Sequence, residues 1–154
     1  MIIESDTRQQ KQLHIIKYFD EKGIKWIRNK LYCGDYKRTD STKIIIDTKK
    51  DLLEICGNLA RTTEHERIKR EIERAREIGC ERFIFLIADS KITKVEEVHN
   101  WKVPTRKNGT KLTQVPPETL EKIMKTMSEK YKVEFIFCKQ SKMGEVIVNI
   151  LSSI

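Results

Sequence analysis

Residues 44–49 read Ile44-Ile45-Ile46-Asp47-Thr48-Lys49. A short apolar run closed by charged residues suits a buried strand of an α/β sheet. Alternate side chains of a strand share a face, so Asp47 and Lys49 point the same way, and the Thr48 backbone carbonyl between them is a further oxygen ligand. Upstream, Cys33-Gly34-Asp35-Tyr36 and a polar link over residues 37–43 fit a second strand joined to the first by a turn. Asp35 and Asp47 can then supply the hard carboxylate oxygens that Mg²⁺ or Mn²⁺ requires for phosphodiester hydrolysis, with Lys49 beside the attacking water. A D-x-K tripeptide alone also arises by chance at a solvated strand end, so its neighbours decide its meaning.

Working outward, residues 83–88 and 133–138 are short apolar or aromatic runs that read as further buried strands. Helical periods lie between them, at residues 13–21, in the stretch after Asp51, and at 64–79, 118–131 and 144–151. In the third, Ile68, Ile72, Ala75 and Ile78 make an apolar face and Arg67, Arg70 and Arg74 a basic one. The basic face could follow a DNA backbone, but Glu66, Glu71 and Glu73 interleave with it, and a salt-bridged solvent face fits equally well. In the fourth, Leu120, Ile123, Met124, Met127 and Tyr131 repeat as core positions. Strands alternating with helices predict an α/β fold, a central mixed sheet flanked by helices, formed as one domain over residues 1–154.

Residues 90–117 carry no period, hold all three prolines and the Asn108-Gly109 turn signal, and read as a long loop. Trp101 lies there among Lys91, Lys94, Arg106, Lys107 and Lys111. It could stack on a base beside phosphate contacts, or simply pin the loop to the core.

Composition narrows the partner. Thirty-one Lys and Arg against 23 Asp and Glu leave a formal charge of +8, which favours an acidic partner such as nucleic acid. Cys33, Cys56, Cys80 and Cys138 are too scattered for a zinc site or a disulfide framework and read as reduced core thiols. His14, His65 and His99 are isolated, and the six glycines form no phosphate cradle. With no signal segment and no run of membrane-spanning length, a soluble cytoplasmic protein with no membrane partner is expected.

Taken in order, these stretches resemble the XPF-type nuclease domain of the PD-(D/E)XK superfamily, in particular its small single-domain phage and bacterial members. Ile2-Ile3 with Asp6-Thr7-Arg8 is similar to that family's first strand ending in D-x-R-E; Gly34-Asp35-Tyr36 matches its G-D-Y; Asp47-Thr48-Lys49 stands where it has E-R-K. Asp51-Leu52 with Gly57-Asn58-Leu59 resembles the helix behind that motif, residues 65–72 its basic helix, and Lys142-Met143-Gly144 the K-x-x-T-G ending of the small members. The resemblance covers most of the chain except residues 90–117.

It implies a restriction-endonuclease-like fold and a Mg²⁺- or Mn²⁺-dependent endonuclease that cuts DNA, at flaps, forks or branches. Asp35, Asp47 and Lys49 would be catalytic, with Arg8, Lys50, Arg67, Arg70 and Trp101 on DNA. Asp6 and Gln9 would stand at the rim, although a strand-end salt bridge also accounts for Asp6 and Arg8. Gln9 replaces the family's Glu, which limits the expectation to one metal ion. Thr48 replaces an Arg, for which Lys50 can compensate, and Asp51 reads as a helix N-cap. Homodimer formation through the late helices is implied as well. The competing expectation is a DNA-binding module of the same fold that has lost catalysis.

Overall fold

The apolar run at 44–46 lies inside β4 (Ser41–Lys49), and its side-chain alternation organises both cores. The computed structural model describes residues 1–9 and 12–154. Before β4 come β1 (Ile3–Asp6), α1 (Leu13–Glu21), β2 (Trp26–Asn29) and β3 (Tyr36–Arg38). After it come α2 (Leu52–Ala60), α3 (Thr62–Glu77), β5 (Arg82–Ala88), α4 (Pro117–Tyr131), β6 (Glu134–Cys138) and α5 (Met143–Leu151). The strands form one six-stranded sheet in the order β2-β1-β3-β4-β5-β6. β4, β5 and β6 run parallel, β1 and β2 run parallel, and β3 is antiparallel to both β1 and β4. This is the mixed, helix-flanked sheet expected from the alternation of elements.

Because strand residues alternate between faces, Ile45 of β4 joins Phe83, Phe85 and Ile87 of β5 under α2, α3 and α4. Ile44 and Ile46 join Ile84 and Leu86 on the other face, beneath α1 and α5. Residues 47 and 49 share the parity of 45, so their side chains belong to the α2–α3–α4 face, and Thr48 belongs to the α1–α5 face. α2 starts where Asp51 accepts a hydrogen bond from the Glu54 N–H at 2.8 Å, an N-cap as anticipated. Cys33, Cys56 and Cys80 are buried free thiols. No helix among the described residues is long and apolar enough to cross a membrane.

Besides shifts of one to three residues at the ends of several elements, the structure differs from expectation in these places. β2 is an edge strand that the sequence pattern does not reveal, because three of its four residues are exposed and it has no buried alternation. Cys33 to Asp35 are not strand; β3 begins only at Tyr36, leaving Asp35 in the irregular link before it. β6 starts at Glu134 rather than at Val133. The long loop is more ordered than its composition suggests: a 3₁₀ segment at Val95–Asn100 buries Val98 in the core, and a Thr105–Lys111 bridge closes the turn at Gly109.

Gly144 sets how closely α5 approaches α1. A Cβ there would stand 2.7 Å from Tyr18 Cβ and 2.8 Å from its ring. Gly144→Ala should therefore lower stability by about 1–2 kcal/mol, overpacking outweighing the roughly 1 kcal/mol gain in helix propensity. Thermal unfolding checks this; an unchanged or raised melting temperature would contradict the packing.

Candidate active site

Asp47 and Lys49 reach the end of β4 almost fully buried, with 6% and 7% of their surface exposed. Lys49 Nζ lies 3.3 Å from Asp47 Oδ2 and 6.0 Å from the centre of the Phe85 ring. Burying a lysine usually favours its neutral form. Here burial is opposed by Asp47, Glu54 and Asp35, which together hold the Lys49 ammonium above its ordinary range.

The antiparallel pairing of β3 with β4 places the start of β3 beside the end of β4, which brings Asp35 to the same end of the sheet. Its N–H donates to Ile46 O and its carbonyl accepts from Asp6 N–H, both at 2.8 Å. Asp35 Oδ2 accepts from the Thr48 N–H at 2.8 Å and from the Thr48 hydroxyl at 2.9 Å. Although the residue keeps partial exposure, its carboxyl is desolvated. Burial first, then the charge of Asp47 and a hydrogen bond to it, push Asp35 well above the usual carboxylate range, against the two Thr48 donors.

Two carboxylates this close repel each other as anions, a repulsion that a cation between them relieves. The same contact suits a hard divalent ion, which binds through one or two carboxylates and keeps several waters. Among the described residues no group of three or more His, Cys, Asp or Glu side chains gathers for a metal. The donor set that fits is thus Asp35, Asp47, backbone oxygen and water.

Thr48 does more than the sequence reading assigned to it. On the α1–α5 face its hydroxyl accepts from Gln9 Nε2 at 2.6 Å and from Gln12 Nε2 at 2.9 Å while donating to Asp35. One donor and two acceptor positions fill its hydrogen-bonding capacity. Gln9, expected at the rim as a lost acid, instead supports Asp35 through Thr48. Asp6 is a clamp: at 2% exposure, its Oδ1 accepts from Leu31 N–H at 2.9 Å and its Oδ2 from Arg8 Nε at 2.8 Å. The salt bridge anticipated for Asp6 and Arg8 is therefore formed, and it holds an Arg8 side chain that remains 68% exposed at the opening of the site.

The other candidate DNA contacts are more dispersed. Lys50 is exposed next to the site and shares a cavity wall with Ser90 and Lys139. Arg67 is paired with Glu64 at 2.8 Å, as the solvent-face alternative predicted, and Arg70 is exposed. Trp101 is partly buried and packs against the core.

Two side chains bonded to the candidate site escaped sequence reasoning. Gln12, just before α1, carried no signal. Glu71 was assigned with Glu66 and Glu73 to a solvent face, yet it is partly buried and its Oε1 accepts from the Gly34 N–H at 2.8 Å. The missed signal is its spacing: 68, 71, 72 and 75 follow the i, i+3, i+4, i+7 rule, so Glu71 occupies an inward position.

The chain is an α/β domain, a mixed sheet between helices, with two acids and a buried lysine gathered where β4 ends. More narrowly, it belongs to the ERCC4 domain family, whose model matches residues 5–150. No curated protein matches the sequence. Among solved structures it is similar to XPF from Aeropyrum pernix, at TM-score 0.70 and 16% identity over 99% of this chain and 64% of that one. The same XPF in complex with DNA matches at TM-score 0.68 with equal identity and coverage. The chain thus spans 64% of the length of those proteins.

A carboxyl whose pKa is raised in the fold stabilises it while protonated and loses that contribution as pH rises through the folded value. Asp35→Asn cannot ionise, and its amide can donate to Asp47. In the metal-free protein it should raise the melting temperature by a few degrees at about pH 8, the gap closing toward about pH 4 as Asp35 becomes protonated. A wild type more stable than the variant at the higher pH would contradict the buried acid contact.

Proposed function

We propose that the protein is a Mg²⁺- or Mn²⁺-dependent endonuclease that hydrolyses DNA phosphodiesters, acting on flap, fork or branched substrates inside the cell. The observation that carries this is the gathering of Asp35, held by Thr48, with Asp47 and the Lys49 ammonium 3.3 Å from it, where β4 of an ERCC4-type sheet ends. A divalent cation held by Asp35 and Asp47 would polarise the phosphate and offset charge on the leaving oxygen. Lys49 is kept protonated by its acidic neighbours, so of the two roles open to it, orienting the attacking water fits better than removing its proton. Its positive charge also faces the phosphate as negative charge develops.

Around this centre, the exposed guanidinium of Arg8, held at its base by Asp6, is suited to a phosphate next to the scissile bond. Lys50 and Arg70, both exposed, extend the basic rim, in keeping with the chain's formal +8 charge. The structurally similar Aeropyrum pernix XPF forms a complex with DNA, which supports DNA as the substrate here. Asp35, Asp47 and Lys49 standing together with their supporting hydrogen bonds favours catalysis over the alternative of a DNA-binding module without it.

Cleavage of fluorescent flap or fork DNA with Mg²⁺ or Mn²⁺ tests the assignment. Asp47→Ala and Lys49→Ala should each lose about 100-fold or more in rate while still binding the DNA. Cleavage at equal rates by wild type and both variants would sink it.

A further inference from the structure

Three backbone hydrogen bonds fix where Asp35 begins. Its own N–H and carbonyl bond to Ile46 of β4 and Asp6 of β1, each at 2.8 Å. The third bond belongs to the preceding residue: Gly34 N–H donates to Glu71 Oε1 of α3 at 2.8 Å. Only this last one has a side chain as its acceptor, and it ties the segment before β3 to α3.

Gly34 has little freedom of its own to hold that position. Its φ of +72° lies in the left-handed region, and a Cβ would collide with Ile45 Cγ2, so the residue must be glycine, the most flexible one in the chain's repertoire. A glycine in such a turn stays ordered when its amide has a partner. The Gly34 peptide is wedged between Ile45 and Glu71, and Asp35 follows directly from it.

Glu71 occupies this place at a cost. It stands on the inward stripe of α3 with Ile68, Ile72 and Ala75, all buried. Burial and the nearby charge of Asp47 disfavour its anion, whereas the Gly34 N–H, Lys49 and Arg67 favour it. An apolar residue there would remove the repulsion and continue the core, but would leave the Gly34 amide without its acceptor.

We infer that Glu71 is a positioning residue of the phosphodiesterase site, holding Asp35 against Asp47 by accepting the hydrogen bond of the Gly34 amide. The inference rests on the nuclease reading above for its consequence in catalysis, but not for the hydrogen bond itself. Because the bond needs an acceptor oxygen and no charge, glutamine should replace glutamate and alanine should not.

The test uses the full chain as wild type, Glu71→Gln and Glu71→Ala, with thermal unfolding to confirm that all three are folded. Amide hydrogen exchange in the metal-free proteins reads the bond: Gly34 should exchange about 10-fold faster in Glu71→Ala and close to the wild-type rate in Glu71→Gln. Mn²⁺ titration calorimetry reads the consequence: affinity should fall about 10-fold or more in Glu71→Ala and recover in Glu71→Gln, as for residues that support metal ligands. Gly34 exchange in Glu71→Ala as slow as in wild type would overturn the inference whatever the metal data. Mn²⁺ affinity lost equally in both variants would overturn it too, by making the charge rather than the hydrogen bond responsible. Absence of Mn²⁺ binding in the wild type, with Gly34 exchange altered as expected, would leave Glu71 as the holder of Asp35 and refute the metal-dependent nuclease reading instead.

Discussion

Two acids, Asp35 and Asp47, are brought into contact at a place where water is largely excluded. Left as paired anions they would oppose folding, because each loses hydration and repels the other. The surrounding structure absorbs that conflict. Thr48 supplies two donors to one oxygen of Asp35, and Lys49 lies 3.3 Å from Asp47. Negative charge concentrated in this way is a departure from ideal stability, and it falls where β4 ends, beside Lys49.

Strand parity decides which elements serve that edge. Asp47 and Lys49 share a face with Ile45 and so meet Phe85 and α3, while Thr48 turns to the opposite face and meets Gln9 and Gln12. Consecutive residues of one strand thereby draw support from both helix layers. The antiparallel β3 adds Asp35 from a third direction, its start fixed by β1 and β4. Charge, hydrogen bonds and packing at the site are consequences of one register rather than separate features.

Sequence reasoning reached those parts of the molecule whose physics is local. The apolar run at 44–46, the D-x-K alternation and the Asp51 cap each depend on residues a few positions apart, and each is found in place. Edge strand β2 escaped because exposure erases the alternation that marks a strand. Val98 is the one fully buried residue of the 3₁₀ segment in the long loop, too little to leave a period. Glu71 and Gln12 were missed for another reason: their partners, Gly34 and Thr48, are 37 and 36 residues away in the chain. Charge type suggested solvent for Glu71, whereas helical spacing pointed inward, and tertiary contact followed the spacing.

The proposed divalent-cation site lies between Asp35 and Asp47. A crystal structure of the protein soaked in millimolar Mn²⁺, with anomalous diffraction to locate the ion, tests it most directly. The account predicts an anomalous peak bridging the Asp35 and Asp47 carboxylates beside Lys49. A fully occupied ion elsewhere on the protein, with no peak between those two acids, would contradict it.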